Sequence, residues 1–315
     1  MKLLTLGFML QGSWCLAFGE VVDSFKVSCP DFFIEDPSDQ NVHYPPTVLI
    51  DSQNPNRYKQ ICQKWRDSYR YATLYDTEGR IPVYSAYYYV GYHKVHKAEW
   101  KIEPQLDDPN QQPEMAREGE EPIKDLGKFQ AIYDDYASQS VYTRGHLYPR
   151  CHNNDQDCAI ATYTHTNAVP QTQEDNNVWA HRVERKMEKL IAETCDRGFA
   201  HVVTGAAPGQ TWMKIRRDNV PVENGVNIPE YFWTAYCCHD KTKPNDLQSG
   251  AWFGNVLKNK LVVRKVTVEQ LEQELSSLYG KPEQEFRFQV FGGLCQGSKI
   301  TTFIYNLIDL SLAFF

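Results

Sequence analysis

Hydrophobic positions along this chain fall into two rhythms. Residues 81–90, Ile-Pro-Val-Tyr-Ser-Ala-Tyr-Tyr-Tyr-Val, are dense in β-branched and aromatic side chains and predict a strand. Residues 159–164 and 286–291 predict two more, and residues 201–205 a short buried one. Trp179, Val183, Met187, Leu190 and Ile191 recur at three- and four-residue steps, which predicts a helix over about residues 175–194 with Asp175 or Asn176 at its cap. Val268, Leu271, Leu275 and Leu278 place a second helix within residues 266–278. Strands and helices mix without regular alternation, so the class is α+β. Residues 103–127 keep neither period and carry four prolines, which predicts a long solvated insertion.

The ends differ from the body. Residues 1–19 start with Lys2, continue through the apolar stretch from Leu3 to Leu10 and end in small residues, the pattern of a secretory leader cut after Gly19. The expected organisation is therefore a leader over residues 1–19, one domain over 20–302 and a short apolar tail over 303–315. That tail is interrupted by Asn306 and Asp309 and is too short to span a bilayer. Of the nine cysteines, Cys15 leaves with the leader, and an even set remains, as an exported disulfide framework requires. The neighbours Cys237 and Cys238 are expected to bridge to two distant partners, because joining adjacent residues strains the geometry. Cys151 and Cys158 flank a polar loop and would suit a bridge to each other or to another partner. With 42% hydrophobic and 23% charged residues the chain is globular, and its net charge of −7 excludes a protein coated in basic residues. A nucleic-acid partner then needs local positive charge or a metal.

Candidate chemistry concentrates in residues 142–184. His146 follows Arg144 and Gly145, Asn167 opens Asn-Ala-Val-Pro-Gln, and Asn176 and Glu184 lie in the predicted helix. A neutral imidazole takes a proton from water, an arginine fork fits phosphate oxygens, and an amide carbonyl suits Mg²⁺ with its water shell. On a continuous helix Asn176 and Glu184 would stand roughly 12 Å apart along the axis. At that separation both would hardly bind one ion directly.

Thr143-Arg144-Gly145-His146 resembles the Asp-Arg-Gly-His signature of the DNA/RNA non-specific endonucleases, which share the ββα-metal site. The Asn167–Gln171 motif, its spacing to Asn176 and Glu184, and the segment around Arg80 are similar to the same family. The resemblance covers roughly residues 62–278. It implies a ββα-metal fold with a mixed or antiparallel sheet flanked by helices. It also implies His146 as general base, Asn176 as direct ligand of one Mg²⁺ (Mn²⁺ substituting), and Glu184 holding a metal-bound water. Asn167 would position groups near His146, and Arg80 and Arg144 would contact phosphate. The substrate would be DNA, RNA or both, gripped through the backbone without base readout. Arg150, Arg182, Lys214, Arg216 and Arg217 are further candidate contacts. Thr143 departs from the family, which has aspartate there. The resemblance leaves two functions: a secreted metal-dependent endonuclease, or a binding protein that keeps the fold with weakened catalysis.

Overall fold

A computed structural model of the chain describes residues 20–93, 96–120, 122–153, 155–280 and 285–296. The leader and the apolar tail lie outside these residues. The main sheet contains β1 (Val21–Val22), β2 (Tyr58–Trp65), β3 (Ser68–Asp76) and β4 (Ile81–Tyr89). A separate hairpin joins β5 (Tyr142–His146) to β6 (Ala168–Thr172). The long strands β7 (Ala200–Arg217) and β8 (Val220–His239) return to the sheet, followed by β9 (Leu247–Leu257) and β10 (Lys260–Val266). The eight sheet strands lie in the order β1-β2-β3-β4-β7-β8-β9-β10, every pair antiparallel. Hairpin chemistry is explicit in three turns. Arg66-Asp67, Asp218-Asn219 and Lys258-Asn259 all have positive φ at both residues, as tight two-residue hairpin loops require.

Period two sorts the side chains onto two cores. Phe232, Tyr236 and Cys238 of β8 face one layer with Tyr87, Trp179, Met187 and Trp252. Trp233, Ala235 and Cys237 face the other, with Tyr84, Phe253, Leu271, Leu275 and Phe288. The adjacent cysteines therefore point to opposite faces. Cys238 bridges to Cys195 and Cys237 to Cys295, while a third bridge joins Cys29 to Cys62. Cys151 and Cys158 remain free thiols, so the loop between them is not stapled.

Helices cover both layers. The first face carries α1 (Tyr133–Ala137), α2 (Gln156–Ala161), α3 (Gln173–Trp179) and α4 (Arg185–Thr194), with a π turn, Ala180–Glu184, joining the last two. The opposite face carries α5 (Val268–Tyr279), begun by a reciprocal Thr267/Gln270 cap.

Four expectations need correction. Residues 156–161 are helical rather than extended, because Asp155 caps them by accepting the Asp157 N–H at 2.9 Å. The helix near Asn176 starts earlier than expected, with Thr172 as its cap, accepting the Asp175 N–H at 3.1 Å. Residues 286–291 join no ladder and end in a bend. Their N–H groups are satisfied by side chains instead: Phe288 by Ser276, Gln289 by Thr47 and Val290 by Glu272, each within 2.8–2.9 Å. Residues 103–127 are also no solvated loop. Leu106, Met115 and Ala116 are buried, and Ala116–Arg117 pairs with Lys101–Ile102. No helix among the described residues is long and apolar enough to cross a membrane.

Non-reducing peptide mapping of the purified chain is expected to recover three bridged pairs and to alkylate Cys151 and Cys158. A Cys151–Cys158 peptide would contradict this arrangement.

Candidate active site

The β5–β6 hairpin carries the site on one of its faces. Alternation along β5 puts Arg144 and His146 on the same side, opposite Ala168 and Pro170 of β6, whose small side chains leave room. Thr143 and Gly145 point the other way. Thr143 donates to the carbonyl of its cross-strand partner Gln171 at 3.0 Å. Gln171 also crosses Gly145 so closely that a Cβ there would collide with its Oε1, which is why glycine must precede His146.

Asn167 fastens this hairpin to the sheet. Its Oδ1 accepts the Ser85 hydroxyl of β4 and the Tyr148 N–H, both at 2.9 Å, and its Nδ2 donates to the carbonyls of Tyr148 and Thr162 at 3.1 and 3.0 Å. The side chain is fully buried and its amide is fully used. Asn167 is therefore a clamp that places the strand of His146.

His146 is held by rings. Trp100 lies 4.9 Å from its centroid and Tyr163 meets it edge-on at 4.9 Å, while its enclosed Nε2 has no hydrogen-bond partner. Burial, with the nearby Arg150 charge, pushes the imidazole pKa down to about 3. The ring is thus neutral at physiological pH.

Arg144 lies in an aromatic cage. Its guanidinium sits 5.3 Å from the Trp100 ring, 4.9 Å from Tyr133 and 5.1 Å from Tyr136. One Nη donates to the Tyr133 carbonyl at 3.0 Å, and the enclosed Nε has no partner. Burial lowers its pKa below the usual arginine range, opposed by Tyr136, Tyr133 and Glu118.

Arg80 has its guanidinium engaged by the chain itself. Its φ is 51° and its fork is spent on four carbonyls, those of Gly127, Asn224, Gly225 and Lys128. It ties loops together. Arg217 is similarly occupied, paired with Asp135 at 2.6 and 2.8 Å, and Arg216 donates to Asn219.

Behind the hairpin, α3 packs on β5 and β6 and carries Asn176, half-buried, whose amide has no side-chain partner among the described residues. The π turn ends at Glu184. Such a turn takes in an extra residue, recurs at functional sites and re-aims the helix beyond it, so the two residues do not sit on one uninterrupted α-helix. Burial raises the Glu184 carboxyl to about 7, offset by His152 and reinforced by Glu188. His152 is fully buried, bonded through Nδ1 to the Tyr87 hydroxyl and through Nε2 to Glu188, both at 2.9 Å. Sequence reasoning missed Trp100, Tyr163, His152 and Glu188. His152 and Glu188 gave only the weak signal of polar residues beside the motif.

Among the described residues no group of three histidine, cysteine or acidic side chains gathers around a point. Mg²⁺ does not need one, because it keeps most of its water and takes one or two protein oxygens. The unpaired Asn176 amide and the Glu184 carboxylate fit that demand.

Asn167→Ala is expected to strand the Ser85 hydroxyl, the Tyr148 N–H and two carbonyls, and so to destabilise the fold by about 2–4 kcal/mol in urea denaturation. A change below about 1 kcal/mol would mean that the clamp does not hold the hairpin.

Residues 53–279 match the family model of the DNA/RNA non-specific endonucleases. The human endonuclease domain-containing 1 protein is 33% identical over 225 residues, 69% of this chain and 41% of that protein. Its mouse counterpart is 34% identical over 185 residues, 57% of this chain and 34% of that protein. The chain thus spans less than half the length of these curated relatives. The crystal structure of the EndoG/EndoGI complex gives a TM-score of 0.45 at 17% identity, covering 71% of this chain and 84% of that chain. Because the matched stretch takes in the whole hairpin and the helices behind it, the chain belongs to the DNA/RNA non-specific endonuclease family.

Proposed function

We propose that this chain is a secreted, metal-dependent endonuclease that hydrolyses phosphodiester bonds of DNA or RNA. The observation that carries the reading is His146: neutral, boxed by Trp100 and Tyr163, and sharing its strand face with Arg144. A base must be unprotonated at working pH and fixed in direction. Its neutrality meets the first condition and the aromatic box the second, while the lowered pKa makes it a weaker proton acceptor than a free imidazole.

In this reading His146 takes the proton of the attacking water. Arg144, cationic against the rings that cage it, biases the face toward phosphate. Asn176 would hold Mg²⁺ or Mn²⁺ directly, with Glu184 anchoring its water shell, and the ion would neutralise charge on the phosphoryl group and the leaving oxygen. Asn167 keeps the hairpin in register while this happens. Recognition through the backbone implies affinity that falls with salt. Three disulfides suit an oxidising compartment, which supports secretion.

One observation favours the second reading, a binding protein with weakened catalysis. Arg80 is consumed by carbonyls and Arg144 by rings and Tyr133, so neither presents an open fork. The experiment that separates the two is nicking of supercoiled plasmid by the disulfide-intact chain, with Mg²⁺ and with chelator. Metal-dependent nicking that falls about 10²–10⁴-fold in His146→Ala supports the enzyme. Retention of plasmid without nicking supports the binding protein.

The pH dependence is specific. His146 is neutral down to about 3, so it sets no limb near neutrality. Glu184, raised to about 7, gains its charge there, and activity is expected to rise as pH passes through that value. Glu184→Gln is expected to lower activity and flatten the limb. The folded pKa of Glu184 lies above its unfolded value, so its contribution to stability is present at low pH and lost as pH rises through about 7. Metal-free Glu184→Gln should therefore be more stable than the parent at pH 8 in thermal melts. Equal stability would remove the burial argument.

A further inference from the structure

One ring beside the site is held in place and yet left open to solvent. Tyr133 begins α1 and is 53% exposed, whereas Tyr136, one turn on, is buried. The Arg144 guanidinium sits over the Tyr133 ring at 4.9 Å and donates through one Nη to the Tyr133 carbonyl at 3.0 Å. The Tyr133 N–H donates to Glu118 Oε1 at 2.6 Å, and the same oxygen lies 3.3 Å from Nε2 of the fully buried His165. His165 in turn packs beside Tyr136 and Trp100, two of the rings around Arg144. Fixing a residue at both peptide groups costs entropy, and an exposed ring recovers little of it through burial.

The charges around this rim decide what the ring can meet. Glu118 is turned toward Tyr133 and His165, Asp135 is paired with Arg217, and Asp134 is exposed to solvent. Acids so placed repel a second phosphate. The flat face of a nucleobase carries no net charge and meets no such barrier. Stacking on a tyrosine tolerates any sequence, because every base has a π-face. A base inside a duplex is already stacked on its neighbours, so only an unpaired one can offer that face. Arg144 and the Tyr133 ring are in contact, so a nucleotide whose phosphate meets the arginine has the ring beside it.

We propose that Tyr133 is a stacking platform for an unpaired base next to the phosphate that is cut, so that the site takes single-stranded nucleic acid in preference to duplex. The inference rests on the nuclease reading for the place of that phosphate. Arg144 meets the phosphate, Tyr133 meets the base, and Glu118 holds the peptide that carries the ring. Glu118 is thus a positioning residue, acting through the Tyr133 N–H and not on substrate. Stacking releases no counter-ions, so its share of the affinity does not fall with salt as the phosphate share does.

Affinity is measured in Mg²⁺ with the disulfide-intact chain carrying His146→Ala, so that bound strands persist. If that variant does not fold, the parent in chelator takes its place. The probes are oligothymidylate and an abasic oligomer of the same length, which keeps the phosphates and lacks the bases. Oligothymidylate is expected to bind more tightly, and Tyr133→Ala to cut the ratio of the two affinities about tenfold. Tyr133→Phe should keep the ratio, and Tyr133→Leu, apolar but without a π-face, should not. Equal binding of the two probes, no binding of either, or a ratio unchanged by Tyr133→Ala overturns the platform. The last result, with both affinities lowered alike, would mean that Tyr133 only supports Arg144. Plasmid nicking by the parent tests the nuclease reading separately. A chain that nicks plasmid but binds both probes equally keeps that reading and loses this one, and a Tyr133-dependent ratio without nicking does the reverse. In a chain that nicks, a single strand should be cut faster than its duplex, with Tyr133→Ala narrowing the gap, and equal rates would overturn the preference.

Discussion

The site depends on one side chain that touches no substrate. Asn167 joins two strands that belong to different sheets: Ser85 sits on β4, while Tyr148 comes just after β5. Without that amide the β5–β6 hairpin would rest on the sheet mainly through apolar contact and the Gln63–Thr166 hydrogen bond, and apolar contact fixes depth better than register. Four directional bonds in a buried setting fix both. The position of His146 is in this sense set from behind, by a residue that is saturated and can therefore do nothing else.

The same economy explains the electrostatics. A chain with a net charge of −7 has few arginines near the site, and the structure uses several of them as mortar. Arg80 gathers four carbonyls, Arg217 pairs with Asp135, and Arg144 fills an aromatic cage. Holding a guanidinium between rings removes water from it without removing its charge, so Arg144 still biases the local field. Burial and the Arg150 charge keep His146 unprotonated.

Much of this was legible in the sequence, and the failures have physical causes. The strand at Ile81–Tyr89 and the helix at Val268–Tyr279 came from strong periods over buried surface. Residues 286–291 have strand composition, yet a ladder needs a partner, and Glu272, Ser276 and Thr47 took its hydrogen bonds. The split of Cys237 and Cys238 was expected from local strain; the pleat adds the stronger reason that they face opposite cores. The pairing of Arg144 with His146 on one strand face follows from their spacing of two. The engagement of Arg80 was not legible, because whether an arginine is free or consumed depends on carbonyls 47 to 145 residues away in sequence. Trp100 stayed hidden for a similar reason, sitting next to a polar stretch that folds back onto the hairpin.

The departure at Thr143 bears on which function survives. Strand alternation sets residue 143 on the face opposite His146, against Gln171. An acid there cannot reach the imidazole without reversing the pleat, so threonine does not remove an orienting partner from the base. It acts through the hairpin, where its hydroxyl adds a cross-strand bond of modest worth, about 0.5–1.5 kcal/mol. A loss of activity, were it found, would then trace to the caged Arg144 of the His146 face rather than to the altered signature residue. Thr143→Asp is accordingly expected to leave plasmid nicking close to that of the parent. A large gain in nicking would show instead that the far face of the hairpin controls the base.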